Sequence, residues 1–333
     1  MAPPPISIFG HRGACAFFPE HSLPSYARAA ADGADYLEPD LVISRDGVLI
    51  ARHEPNLAAT TDVARFPDFA DRFTTKVIDG HKQRGWFAED FTLAELKRLR
   101  TVERRPATRP LSAAHDGEAP LVTWDELLDF TAAESARQGR PIGLVPELKH
   151  SSYFRSIGLP LEEPFLASLD HRALAGAPLI VQSFEIANLK AIRAAIGRPS
   201  TIRLMQLVDP ARPPQDRAHL TAGAMLSPAG LAAIAGYADI LGPDKASVIP
   251  CDLDGRLGHP TALVADAAAT GLPVMPYTFR PENRFLPADL RSDAGPDARH
   301  EAGSIAEIRA YVMAGIAGLF ADDPALARRA IGS

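Results

Sequence analysis

The sequence predicts a (β/α)8 TIM barrel with a small inserted cap subdomain, residues 1–333 forming one barrel domain and residues 62–120 the insertion within it. Three observations carry this. Continuous apolar runs alternate with amphipathic stretches, as parallel strands buried on both faces and their crossover helices require. About eight such units can be counted, the number that closes a barrel. Charged residues cluster at the ends of several runs, where a barrel carries its site. A doubly wound open sheet is the alternative that the same rhythm allows.

The elements follow in order. "ISIF" (6–9) reads as the first strand, and "PEHSLPSYARAAADG" (19–33) as a helix that Gly33 stops. "YLEPDLVI" (36–43) is a strand carrying carboxylates, and "GVLIARH" (47–53) a further extended piece. The helix "TWDELLDFTAAESARQG" (123–139) has Thr123 as its N-cap. It leads to the buried strand "IGLVPELK" (142–149). Strand "PLIVQSF" (178–184), helix "EIANLKAIRAAIG" (185–197) and strand "TIRLMQLV" (201–208) continue the pattern. Helix "SPAGLAAIAGYA" (227–238), the short extended pieces "DILGP" (239–243) and "SVIP" (247–250), and helix "PTALVADAAATG" (260–271) come next. Strand "PVMPYTF" (273–279), helix "SIAEIRAYVMAG" (304–315), strand "GLFADDP" (318–324) and helix "PALARRAIG" (324–332) complete the series.

Two segments break the rhythm. Residues 62–120 are too long for a βα loop, and their Phe66, Phe69, Phe73, Trp86, Phe87 and Phe91 are enough to fold a cap. Residues 280–302 form a second insertion. Both follow strands, so both should lie around the rim that carries the site.

Composition narrows the function. The chain is 46% hydrophobic and 23% charged, with a formal net charge of −6, which argues against nucleic acid as a partner. A small anionic substrate remains compatible, because local charge can oppose the global sign. No run of about 18 apolar residues marks a transmembrane segment. "MAPPPISIF" has neither the basic nor the apolar region of a signal peptide, so the expectation is a cytoplasmic protein or a mature form with its export signal removed. Cys15 and Cys251 match no zinc spacing and read as free thiols, buried or half-buried.

The chemistry-bearing residues lie at strand ends. His11 and Arg12 follow the first strand, and His53 ends the extended piece after the second. Glu38 and Asp40 are spaced i, i+2 and so share a face; Glu147 and Lys149 repeat that spacing. Asp322 and Asp323 follow the last strand. Three carboxylates brought together repel unless a cation joins them, and an all-oxygen set favours Ca²⁺ or Mg²⁺ over Zn²⁺. His11 and His53 beside such a site fit a general acid and base. Arg12 and Lys149 fit phosphate oxygens, Arg12 as a planar fork. The remaining histidines, His21, His81, His115, His150, His171, His219, His259 and His300, read mostly as surface residues, with His81 placed in the cap. Walker A, G-x-G-x-x-G, G-x-S-x-G and H-E-x-x-H patterns are absent.

These residues resemble the glycerophosphodiester phosphodiesterase family. The likeness rests on His11-Arg12-Gly13, Pro19-Glu20-His21-Ser22, Gly33-Ala34-Asp35, Glu38-Pro39-Asp40, Asp46-Gly47 and His53-Glu54. "PELK" (146–149), "QSFE" (182–185), "PYTFR" (276–280) and "FADDP" (320–324) follow in order, so it spans nearly the whole chain. The insertion resembles that of the periplasmic-type bacterial branch, which implies calcium and a periplasmic or secreted location, with the cytoplasm as the alternative. The resemblance implies a TIM barrel that hydrolyses glycerophosphodiesters such as glycerophosphocholine or glycerophosphoethanolamine to sn-glycerol 3-phosphate and an alcohol. It implies His11 and His53 as the acid–base pair, Glu38, Asp40 and Glu147 as metal ligands, Arg12 and Lys149 on phosphate, and Tyr277 and Phe279 near the glycerol or the alcohol. Phe18 and "YTFRPENRF" depart from the family pattern, which touches substrate contacts rather than the chemistry. Three alternatives stand beside this reading. One is a phospholipase D-like enzyme acting on lysophospholipids or sphingolipids, which would want an exposed apolar rim on the cap. The others are a metal-dependent lyase or aldolase and a non-catalytic binding protein.

Overall fold

The computed structural model describes residues 6–174 and 176–332. Eight parallel strands close on one another. Strand one is Ser7–His11 and strand two runs in two pieces, Tyr36–Glu38 and Asp40–Ile43, either side of Pro39, which has no N–H for the ladder. Strand three is likewise split, into Gly143–Leu144 and Glu147–Leu148, at Pro146. Strands four, five and six are Ile180–Ser183, Arg203–Val208 and Ile240–Pro243. Strand seven is reduced to bridges at Val274, Tyr277 and Phe279, its ladder interrupted by Pro273 and Pro276. Strand eight is Gly318–Ala321 and pairs with strand one, Ser7 against Gly318 through Gly10 against Ala321. That pairing closes the barrel.

The crossover helices match their sequence cues. Ser22 caps Leu23–Ala31, Thr123 opens Trp124–Gln138 with a full capping box, and Asp323 caps Pro324–Ile331. Glu301–Met313 starts three residues ahead of the expected helix. One expectation fails: "SVIP" is not extended. Asp244 accepts from the Ala246 N–H and folds Lys245–Ser247 into a 3-10 turn instead.

The first insertion holds a hairpin, Thr74–Ile78 with His81–Gly85, turned by Asp79-Gly80, both at positive φ. Its Phe69, Phe91, Leu96 and Leu99 belong to the same buried cluster as the barrel's Leu41 and Ile50, so it shares the main core. Phe69, Phe87 and Phe91 are buried; of its aromatic residues Phe73 alone is exposed, alongside Val77 on the same hairpin. Leu111 is the third large apolar side chain that the insertion exposes. The second insertion clasps the first: the Thr108 hydroxyl donates to Asp297 at 2.6 Å and Arg109 Nε to Glu282 at 2.9 Å.

Gly13 sets the turn that carries His11 and Arg12 to the rim. Its φ is +92°, and a Cβ there would lie 2.6 Å from the Ser25 backbone carbon. Gly13→Ala should therefore lower stability by about 2 kcal/mol or more, read as a fall in the urea midpoint; an unchanged midpoint would show that the crowding is absent.

Candidate active site

The strand ends surround a cleft of about 620 Å³ lined by His11, Arg12, Glu38, Asp40, His53, Glu147, Lys149 and Tyr277 among others. Register brings them together. His11 lies opposite Glu38, Asp40 opposite Glu147, and Glu147 opposite Gln182. The carboxylates of Glu38, Asp40 and Glu147 are buried with oxygens within 4.8 Å of one another.

Each acid has a polar support. Glu38 accepts from the Arg12 N–H at 2.8 Å and from Gln182 Nε2 at 3.0 Å. Asp40 Oδ2 lies 3.3 Å from Arg12 Nε and 3.0 Å from His21 Nε2. Lys149 Nζ sits 2.9 Å from Glu147 and 3.6 Å from Asp40. Charge is thus only partly balanced. Burial, and then the Asp40 charge, push the Glu38 carboxyl well up. Burial also pushes Glu147 up to about 8, against the pull of Lys149 and with Asp40 adding. Asp40 goes the other way: burial opposes ionisation, but Lys149, His53 and Arg12 outweigh it and hold the carboxyl well below its usual range. The Oε1 of Gln182, buried among these acids, accepts no hydrogen bond among the described residues. An all-oxygen cluster with two acids resisting ionisation and one unpartnered carbonyl oxygen fits a hard divalent cation held by Glu38, Asp40 and Glu147.

The two histidines flank this cluster. His11 Nδ1 meets Asp322 Oδ1 at 2.6 Å, and Asp322 is held in turn by Arg109 and by Arg280 Nε at 3.2 Å. Burial, and then Arg12, lower His11 to about 4 despite Asp322. His53 Nδ1 lies 3.0 Å from Glu54, close but not aligned as a hydrogen bond, and burial with Arg12 and Lys149 lowers it to about 3. Glu54 and Glu20 are both gripped by Arg104 from the insertion, at 2.6 and 2.5 Å, and Glu20 also takes Arg12 at 3.2 Å.

The structure therefore gathers His11, His53, Arg12, Lys149, Glu38, Asp40, Glu147 and Tyr277 around one cleft. Phe279 is placed elsewhere: it is buried in the helix layer, edge-on to Tyr311 at 4.9 Å. His21 is a correction. It is buried, not at the surface, because its ring bridges Asp40 and the Tyr26 hydroxyl. Cys15 is buried as expected, but Cys251 is exposed. His81 is exposed and borders the cleft. Sequence reasoning did not assign roles to Glu20, Glu54, Arg104, Arg109, Gln182 or Asp322. Glu20, Glu54, Gln182 and Asp322 lie inside the quoted motifs, and Asp322 also among the charged strand ends, whereas Arg104 and Arg109 carry no local signal. Every described non-glycine residue at positive φ — Arg12, His21, Asp79 and His150 — lines the cleft or supports an acid there, as strained backbone at a working site does.

The closed parallel barrel and the charged rim at its strand ends define a member of the (β/α)8 class with its site on the C-terminal face. Comparison identifies the family. Residues 11–326 match the Glycerophosphoryl diester phosphodiesterase family, and the chain belongs to it. A glycerophosphodiester phosphodiesterase of Arabidopsis thaliana is 33% identical over 297 residues, covering 85% of this chain and 77% of that protein. One from Haemophilus influenzae is 26% identical, covering 82% and 78%. Among solved structures, a phosphodiesterase of Oleispira antarctica in complex with the product sn-glycerol-3-phosphate aligns at TM-score 0.64 and 18% identity, covering 98% of this chain and 97% of that one. A glycerophosphoryl diester phosphodiesterase from Silicibacter pomeroyi aligns at TM-score 0.66 and 21% identity, covering 99% and 94%. At these identities the structures confirm the barrel fold.

Glu147 gives a stability test. Its folded value of about 8 lies above the ordinary 4.5, so between those pH values the folded chain holds a proton that the unfolded chain has lost. Stability then falls as pH rises through that window. In chelator, the urea midpoint of the native protein should drop relative to Glu147→Gln from pH 5 to pH 8 and level off above. Parallel pH profiles would show that the carboxyl is not perturbed.

Proposed function

We propose that this protein hydrolyses glycerophosphodiesters to sn-glycerol 3-phosphate and an alcohol, with His11 and His53 moving the protons. The single observation that carries the reading is the cleft that combines a buried three-carboxylate cluster with two histidines and the cations Arg12 and Lys149. Family membership and the activities named for the relatives support the same chemistry.

The residues divide the work. Arg12 and Lys149, fixed by Asp40, Glu20 and Glu147, hold positive charge where a diester phosphate enters. Glu38, Asp40 and Glu147 would hold a divalent cation, Ca²⁺ in our reading with Mg²⁺ as the alternative; when bound it supplies Lewis-acid stabilisation of the phosphoryl oxygens. Asp322 accepts the Nδ1 proton of His11 and leaves Nε2 as the basic nitrogen. Both lowered histidines are neutral at pH 7, so each starts as a base. One takes the proton of the attacking oxygen, either that of a water or that of the neighbouring glycerol hydroxyl, in which case water then opens the cyclic phosphate. An arriving phosphate raises the other's proton affinity, so that it takes up a proton from solvent and can donate it to the leaving oxygen. Tyr277 borders the cleft with its hydroxyl tied to the Val208 carbonyl at 2.9 Å, and so offers the substrate its ring. The likeness of the insertion supports a periplasmic or secreted location, with the cytoplasm as the alternative. Among the described residues no helix is long and apolar enough to cross a membrane.

Turnover of glycerophosphocholine, followed by ³¹P NMR with Ca²⁺ and Mg²⁺ in parallel, tests this. Sn-glycerol 3-phosphate should be the phosphorus product, and chelation should stop its formation until metal is restored. His11→Ala and His53→Ala should each lower kcat by about a hundredfold or more while the fold is kept. Full turnover in chelator would remove the metal from the reading, and near-normal activity in both variants would remove the histidines.

A further inference from the structure

The acids lining the cleft outnumber its lysine and arginine side chains, yet on one wall the guanidinium groups outnumber the carboxylates they touch. Arg12, Lys149 and Arg104 are each matched to carboxylates. Arg109 is spent on Glu282 and Asp322. On the His11 side of the cleft two further guanidinium groups line the wall, Arg105 from the first insertion and Arg280 after strand seven. Both lie on the ring of Phe285, at 5.2 and 4.9 Å from its centroid. That ring is a fixed platform, because the Phe285 N–H bonds the Glu282 carbonyl and its own carbonyl accepts from Lys245. Among the described residues Arg280 is engaged only through Nε, on an Asp322 already shared with Arg109 and His11. Arg105 has no carboxylate within ion-pair distance among the described residues. The nearby Glu103 is occupied by the Arg105 backbone N–H and the Ser112 hydroxyl. Burial, and then the charges of Arg280, Arg109 and Arg104, push the Arg105 guanidinium below its usual value. Two stacked cations with one shared acid between them are relieved by an anion in the cleft.

We propose that Arg105 and Arg280, stacked on Phe285, form a second anion subsite that takes a further phosphate on the alcohol portion of the substrate. This deepens, and rests on, the glycerophosphodiesterase reading. Substrates with a second phosphate are favoured over those with a cationic head group such as choline. The subsite is built jointly by the two insertions, which explains why they are clasped to each other through Thr108–Asp297 and Arg109–Glu282.

The test compares kcat/KM for bis(glycerophospho)glycerol and glycerophosphocholine in the metal-loaded protein at low salt. The native enzyme should favour the former by about tenfold, and Arg105→Ala should cut that ratio by about tenfold, with Arg105→Lys keeping most of it. Arg105 is covered on its Phe285 side but otherwise open to solvent and makes no ion pair among the described residues, so the thermal midpoint of the variant should be unchanged and reports a folded protein. A ratio that Arg105→Ala leaves intact overturns the subsite. So does an equal loss on both substrates, which would assign Arg105 to the scissile phosphate. If neither diester is hydrolysed, the activity reading itself falls and the subsite with it.

Discussion

Three buried carboxylates within 4.8 Å of one another are the constraint around which this molecule is organised. Left alone they would repel strongly in a low-dielectric pocket. Arg12 and Lys149 answer part of that repulsion, and each then needs its own fixed position. Arg12 is bent into left-handed backbone and locked by Glu20. Lys149 lies on the same strand end as Glu147. The remaining imbalance is what suits the cluster to a divalent cation and the cleft to an anionic substrate. Burial, reinforced by Arg12 at both histidines and by Lys149 at His53, keeps the two rings neutral.

The first insertion belongs to this electrostatic system as much as to the core. Arg104 reaches back to Glu20 on the loop after strand one and to Glu54 beside His53. It therefore ties together the two loops that carry the histidines. Arg109, five residues on, does the equivalent on the other flank through Asp322. Part of a segment that looks like decoration along the chain thus braces the rim from above.

The parts of this arrangement legible in the sequence were those set by local periodicity. Alternation of apolar strands and helices gave the barrel, and the i, i+2 spacing of Glu38 with Asp40 and of Glu147 with Lys149 placed them on shared faces. Prolines were read less well: Pro273 and Pro276 reduce strand seven to isolated bridges. What could not be read were pairings set by tertiary closure. His11 and Asp322 are 311 positions apart, and Arg104 and Glu20 are 84 apart. His21 gave no local sign of burial because its partners, Tyr26 and Asp40, bring it inside only once the second strand is docked. The place of Phe279 in the helix layer likewise depends on Tyr311.

The pairing of strand one with strand eight bears on how the protein is made. During synthesis strand one must wait for its neighbour on one side and for the acid that orients His11, both 311 residues further along the chain. Until then the growing sheet has an open edge at Ser7–His11, the type of edge that invites misassociation. The long sequence separation also makes ring closure a late and slow event. A nascent chain stalled before residue 318 would hold every carboxylate of the cluster and still lack the partner of His11. Competence thus arrives in one late step rather than accumulating along the ribosome.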